Sequence, residues 1–376
     1  MSFNKYSQIP KKTYYTSDNN YPIPHSAIYA GTFFNKLAVC YGASNCGKTT
    51  IMQQIAYTMR KIIFKFYIIS PSEPSNENYT GMTAQSAIIV DISKESMQSF
   101  FDSFFETQTE EMAIYKRAFK YDILESLFRM IETPEQRKRI DDDHNMIKKL
   151  TKHKNNLRFK NLKPEDEIAL EIIDWEITYR NIRLRKRYSR YLTAKMDILQ
   201  KAKLKNKQKY TMEHLYCYPF SLVYVDDALA EMAGYITKSS DWFVRLFTRV
   251  RHVGGSVVIA AHDDTNVLPP LRRNVFVSIY CSAEIVNTNA QRGGNWTKQQ
   301  IKSLPEYADK IFSINLFAKF VIHREAKYKI RYMIADKMPS KPECVANKLF
   351  VAYMNEAYGD EIIIPKKKIN NKQKKR

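Results

Sequence analysis

Strands in this chain are marked by continuous apolar runs rather than by alternation of apolar and polar residues. NKLAVCY (35–41), KFYIIS (65–70), SAIIVDIS (86–93), FSLVYVDDALA (220–230), GGSVVIAAH (254–262) and NVFVSIYC (274–281) all read this way. Such runs suit strands buried on both faces. Between them lie helical patterns, TTIMQQIAYTMRKI (49–62) and the amphipathic DWFVRLFTRVRHV (241–253). Alternating strands and helices predict an α/β fold, with a mainly parallel sheet covered by helices. Near the end of the core, KIFSINLFAKFVI (310–322) and KYKIRYMIA (327–335) alternate like an antiparallel hairpin.

The segment from Lys94 to Tyr210 breaks this rhythm. It contains no glycine and is rich in charged and large apolar residues, which predicts helices. Pro164 followed by Glu165, Asp166 and Glu167 marks a helix start, with proline in the first turn and acids at the positive end of the dipole. Ile168, Ile172, Trp175, Tyr179 and Ile182 then recur at 4-3-4-3 spacing, a stripe expected to pack in a core or against another helix. Five regions follow: an N-terminal extension (1–30), a first core part (31–93), a helical, basic insertion (94–213), a second core part (214–345) and a basic C-terminal tail (346–376).

Charge narrows the class of partner. Of the net charge of +21, Arg180 to Lys209 contributes +11, with twelve Lys/Arg against Asp197, and Lys366 to Arg376 adds seven more. Concentrated positive charge is the footprint of a nucleic-acid binder, although a solvated helix face or a loose tail has the same composition. The five cysteines (Cys40, Cys46, Cys217, Cys281, Cys344) form no C-x-x-C pair and no metal spacing with histidine, as expected of reduced intracellular thiols. No N-terminal secretory pattern and no membrane-spanning apolar stretch is present, so a soluble cytosolic or nuclear protein is expected. By the same reasoning the N-glycosylation triplet at Asn295 is expected to go unmodified.

The chemistry is concentrated in two places. Gly42-Ala43-Ser44-Asn45-Cys46-Gly47-Lys48-Thr49 follows the first strand and opens the first helix, which is the context a phosphate-binding loop requires. Its glycines let backbone N–H groups turn toward an anion, and the helix N-terminus of Thr49 and Thr50 faces the same point. Lys48 would reach the β- and γ-phosphates of ATP, and the Thr49 hydroxyl would ligate Mg²⁺. The second place is the strand ending in Asp226-Asp227, which sets two carboxylates at the carboxyl edge of a parallel sheet. Asp226 would hold Mg²⁺ and Asp227 would orient or deprotonate the attacking water; an ordinary turn with a capping aspartate is the plainer alternative.

Taken together, GASNCGKT, LVYVDD, RHVGGSVVIAAH and VLPPLRRN resemble the genome-packaging ATPases of large DNA viruses, including poxviruses. That family belongs to the FtsK–HerA superfamily of P-loop NTPases. The resemblance spans roughly residues 22–93 and 214–285, with order and spacing intact. It implies a RecA-like core and a ring of identical subunits around double-stranded DNA, held without sequence preference. It also implies ATP at subunit interfaces and a capsid or portal-vertex partner inside the infected cell or in the virion. An arginine from the neighbour would complete each site, and Arg251 and Arg272 match the family positions better than Arg249 and Arg273. The family usually has Gln where His262 ends its strand, the residue thought to sense the γ-phosphate. A neutral imidazole can donate one hydrogen bond there but, unlike Gln, can also titrate. A helicase or conjugation-type pump shares the same engine, and a non-catalytic DNA-binding virion protein would need a vestigial site.

Overall fold

The structure, a computed structural model, describes the chain apart from residues 1–11, 17–20, 27, 120–132, 159–161, 193–217, 237–240, 263–264, 266, 268, 291–296, 336–342 and 360–376. Most of the basic run at 180–209, the tail from Lys366 to Arg376, Cys217 and Asn295 therefore lie outside the described residues.

Strands β1 (Tyr14–Tyr15) and β2 (Pro22–Ile23) form a small antiparallel ribbon. The remaining strands are β3 (Leu37–Tyr41), β4 (Lys65–Ile69), β5 (Ile88–Ile89), β6 (Ser221–Val225), β7 (Gly255–Ala261), β8 (Val277–Tyr280), β9 (Ala318–His323) and β10 (Ile330–Ile334). They make one eight-stranded sheet in the order β10-β9-β8-β3-β7-β6-β4-β5. From β8 to β5 the pairing is parallel; β9 and β10 close the other edge antiparallel, as the hairpin pattern predicts. The fold is thus α/β, and the phosphate-loop strand is separated from the Asp-Asp strand by one intervening strand.

Continuous apolar runs are explained by what covers the sheet. Along β3, Leu37, Val39 and Tyr41 enter one core and Ala38 and Cys40 the other, since successive side chains point to opposite faces. The helices are α1 (Ala30–Phe33), α2 (Lys48–Met59), α3 (Glu73–Asn76), α4 (Lys94–Phe119), α5 (Pro134–Arg158), α6 (Pro164–Leu192), α7 (Leu229–Met232), α8 (Asp241–Thr248), α9 (Pro269–Arg272), α10 (Ala283–Ile285), α11 (Lys298–Phe312) and α12 (Lys348–Tyr358). The first core is filled by Phe101, Phe104 and Phe105 of α4, Trp242 and Phe243 of α8, and Leu304 and Ile311 of α11. Opposite them, Ile51, Met52 and Ile55 of α2 pack with Phe350 and Met354 of α12. The start of the segment read as a basic tail is therefore a core-packed helix, anchored further by Ser86 Oγ donating to the Met354 carbonyl.

The central helices are tied to the sheet rather than set apart from it. Phe101 stacks on Trp242 at 4.8 Å, and buried Lys65 at the start of β4 reaches Glu111 of α4 at 2.6 Å. Trp175 of the α6 stripe packs beside Phe34, 5.2 Å between ring centres, so part of that stripe meets the core and not only a neighbouring helix. Arg331 of β10, 1% exposed, is gripped through Nη1 and Nη2 by the Glu171 carboxylate at 2.8 Å and by Glu167 at 3.3 Å. Glu167, one of the acids that mark the start of α6 in sequence, thus joins Glu171 in seating the helix on the sheet edge.

Candidate nucleotide site

β3 ends at Tyr41, and the chain turns through residues 42–47 into α2. Asn45 (φ 62°) and Gly47 (φ 87°) take left-handed backbone conformations, which curl the loop around its own N–H groups. At Gly42 a Cβ would overlap Cys46 Sγ and come within 3.0 Å of Cys281 Cβ, so the first glycine of the motif is needed for space. Gly42 N–H donates to the Ala261 carbonyl at 3.0 Å, locking the loop to the end of β7. Lys48 is 6% exposed, and its ammonium donates to the Gly42 and Ala43 carbonyls at 2.8 and 2.9 Å. It is folded over the mouth of the loop where a phosphate would sit.

Asp226 follows β6 and is 2% exposed. Its backbone N–H donates to the Ile69 carbonyl at 2.9 Å, which sets the carboxylate between β4 and the phosphate loop. Oδ2 accepts from Tyr79 Oη at 2.7 Å and lies 3.4 Å from Thr49 Oγ1. Oδ1 is buried with no hydrogen-bond partner. Burial pushes the Asp226 carboxyl up, and the hydrogen bond from Tyr79 only partly offsets it. A buried carboxylate with one unsatisfied oxygen beside a threonine hydroxyl is suited to a divalent cation, and Mg²⁺ commonly takes one or two protein ligands plus phosphate oxygens. Asp227 is exposed and held at φ 53°, an unusual left-handed position for a non-glycine residue at the carboxyl edge.

Lys48, Thr49, Asp226 and Asp227 are thus brought to one edge of the sheet across β7. His262 joins them there, exposed, directly after Ala261. The arginines do not. Arg251 lies in the 3₁₀ turn Val250–Val253, before the first residue of β7, with its guanidinium 5.2 Å from the Phe276 ring. Seven residues of β7 separate it from His262, about 23 Å of strand. Arg272, in α9 four residues before Phe276, donates from Nε to the Val267 carbonyl at 2.8 Å. Arg249 and Arg273 are exposed.

Two contributors have no motif of their own. Tyr79 is fully buried and comes from the connection between α3 and β5; burial and Asp226 both push its phenol up, so it stays a proton donor. Lys319, the second residue of β9, donates to the Cys46 carbonyl at 3.2 Å. The thiols nearby are also unequal. The hydrogen bond from Cys281 draws the Cys46 thiol down to about 6, helped by Lys48 and Lys319, while the same contact and burial push Cys281 up.

The basic run is partly accounted for within the chain. Arg180 and Arg187 reach the buried Asp143 of α5 at 2.8 and 2.7 Å, and Arg183 joins the same carboxylate. Arg185 lies 3.7 Å over the Tyr115 ring. The beginning of the segment read as a nucleic-acid footprint therefore holds α5, α6 and α4 together. Among the described residues no helix is long and apolar enough to cross a membrane.

No protein-family model matches the chain. It is 26% identical over 355 residues to the uncharacterized protein B354L of African swine fever virus isolate Pig/Kenya/KEN-50/1950, covering 92% of this chain and 94% of that one. The counterpart from isolate Warthog/Namibia/Wart80/1980 gives the same values. Among solved structures, the chain is similar to the cytoplasmic domain of the Thermomonospora curvata type VII secretion ATPase EccC, at 10% identity and TM-score 0.42. That likeness covers 92% of this chain but 30% of the EccC chain, so this chain spans under a third of it. The plasmid coupling protein TrwB, in complex with the non-hydrolysable GTP analogue GDPNP, is similar at 12% identity and TM-score 0.36, over 93% of this chain and 95% of that one.

Proposed function

We propose that this chain is an ATP-driven motor that moves viral double-stranded DNA into a preformed capsid, a member of the packaging ATPases of the FtsK–HerA superfamily. The observation that carries the ATPase reading is the convergence of Lys48, Thr49 and the half-satisfied Asp226 carboxylate at one sheet edge. A viral relative matching nearly the whole chain supports the viral setting.

In this reading the loop N–H groups cradle the phosphates, and Lys48 leaves the Gly42 and Ala43 carbonyls to meet them. Thr49 and Asp226 would hold Mg²⁺, which would supply neutralisation of the phosphate charge. Asp227 orients the attacking water, and His262 donates to the γ-phosphate. Arg251, a strand length away from its own loop, and Arg272 are the two candidates to serve a neighbouring subunit in a ring. An arginine suits the task because a planar guanidinium matches the charge spread over the transferring phosphoryl oxygens.

The partner is double-stranded DNA held by its phosphates, which the excess of lysine and arginine favours. Steady-state ATP hydrolysis measured with and without duplex DNA tests the proposal. The expected result is Mg²⁺-dependent turnover that rises with DNA of any sequence. Turnover indifferent to DNA would remove the motor reading and leave only a nucleotide hydrolase.

A further inference from the structure

Lys319 lies in β9, the antiparallel strand added beyond β8, and is 5% exposed. A lysine ammonium has three N–H donors. The Cys46 carbonyl, 3.2 Å away, takes one of them. No carboxylate among the described residues lies within ion-pair distance of it, whereas the other deeply buried lysine of the sheet, Lys65, is matched by Glu111 at 2.6 Å. Burying an ammonium against a single neutral carbonyl is costly unless an anion compensates. Lys48 is buried as well and donates to the Gly42 and Ala43 carbonyls, with Asp226 as its nearby opposite charge, so two buried ammonium groups converge on one loop.

Geometry places these cations on different flanks. Strand order puts β6, with Asp226, on one side of β3 and β9, with Lys319, on the other. A Cβ at Gly47, the residue that opens α2, would lie 3.6 Å from Lys319 Nζ. Lys319 therefore stands against the backbone that forms the rim of the phosphate cradle.

We infer that Lys319 is a second phosphate-binding lysine of the nucleotide site, contacting the polyphosphate from the flank opposite Asp226. The inference rests on the nucleotide reading above. On this flank Lys319 holds phosphate present in both ATP and ADP, so it acts in binding rather than in the chemical step. A charge-assisted hydrogen bond of this kind is worth a factor of about ten or more in affinity.

The test is isothermal titration of the full chain with Mg²⁺-ADP and with the slowly hydrolysed Mg²⁺-ATPγS, for the wild type, Lys319→Met, Lys319→Gln and Lys48→Ala. Thermal melting without nucleotide is measured alongside. Both Lys319 variants are expected to lose about tenfold or more in affinity for both nucleotides. Their nucleotide-free melting temperatures should be unchanged or higher, because an uncompensated buried charge has been removed. Wild-type affinity in the variants would overturn the inference while leaving the nucleotide reading intact. A lowered nucleotide-free melting temperature with unchanged affinity would make Lys319 a mere latch on the loop. If the wild type binds neither nucleotide, the nucleotide reading and the inference fall together.

Discussion

Tyr79 Oη donates a 2.7 Å hydrogen bond to Asp226 Oδ2, joining residues 147 positions apart in sequence. Tyr79 is itself supported, because its backbone N–H donates to Glu73 Oε1 at 2.8 Å. The contact leaves Oδ1 as the oxygen still to be satisfied and so fixes which way the carboxylate turns. Tyr79→Phe keeps the ring packing but removes the donor. Supporting groups of this kind are worth about 10- to 100-fold in metal affinity. Magnesium titrations of ATP hydrolysis should show that loss for Tyr79→Phe, with nearly normal turnover restored at high Mg²⁺. An unaltered magnesium dependence would reduce Tyr79 to a core residue.

Lys48→Ala should abolish ATP turnover without unfolding the chain, since among the described residues its ammonium donates to two loop carbonyls and to no core element. Asp227→Asn should still bind Mg²⁺-ATP but stall before hydrolysis, because Asp227 is exposed and the proposed cation ligands are Thr49 and Asp226. Binding and single-turnover hydrolysis separate the two. Equal loss of nucleotide binding in Asp227→Asn would move that residue to the metal.

The phosphate loop and the Asp-Asp strand end were legible in the sequence because each is a contiguous pattern dictated by local backbone geometry. The buried sheet was legible for a similar reason, since strands covered on both faces read as unbroken apolar runs. Tyr79 and Lys319 left no such trace. Each reaches the site from a separate element, and an isolated tyrosine or lysine in a β-prone stretch looks like packing or a solvated edge. The charge run was legible only as composition: Asp143, some forty residues upstream, takes Arg180, Arg183 and Arg187 at its beginning, while most of the run lies outside the described residues. Sequence proximity among the arginines does not reveal that distant acid.

Acid should weaken the fold through His323. Burial, with Lys36 and Arg331 nearby and only Glu171 opposing, lowers its pKa from 6.5 to about 3, and Nδ1 has no partner. The unfolded chain therefore takes up a proton that the folded chain refuses. The stabilising contribution is fully present above pH 6.5 and is lost as pH falls toward 3, with a slope of up to about 1.4 kcal/mol per pH unit. Glu171, held below its usual range by Arg331 against the opposing effect of burial, adds to the loss at the acid end. Denaturant unfolding from pH 7 to 4.5 should show a shallower decline for His323→Gln than for the wild type. Parallel curves would contradict this assignment.

The trans arginine predicts complementation. Arg251→Ala or Arg272→Ala should keep ATP binding while losing roughly 10³-fold or more in turnover, as in sites completed by an arginine finger. Lysine at the same position should rescue poorly. Mixing either arginine variant with Lys48→Ala puts an intact loop beside an intact arginine at some interfaces, so part of the activity should return. Recovery with only one of the two identifies the finger. Recovery with neither, after subunit exchange is demonstrated, would leave the ring without support.

The most direct measurement of DNA pumping is displacement of a triplex-forming strand from a long duplex, which requires movement along intact double-stranded DNA. The motor reading predicts ATP- and Mg²⁺-dependent displacement by the full chain, insensitive to the sequence between entry point and triplex and absent in Lys48→Ala. Hydrolysis stimulated by DNA without displacement, or separation of the duplex strands instead, would contradict it.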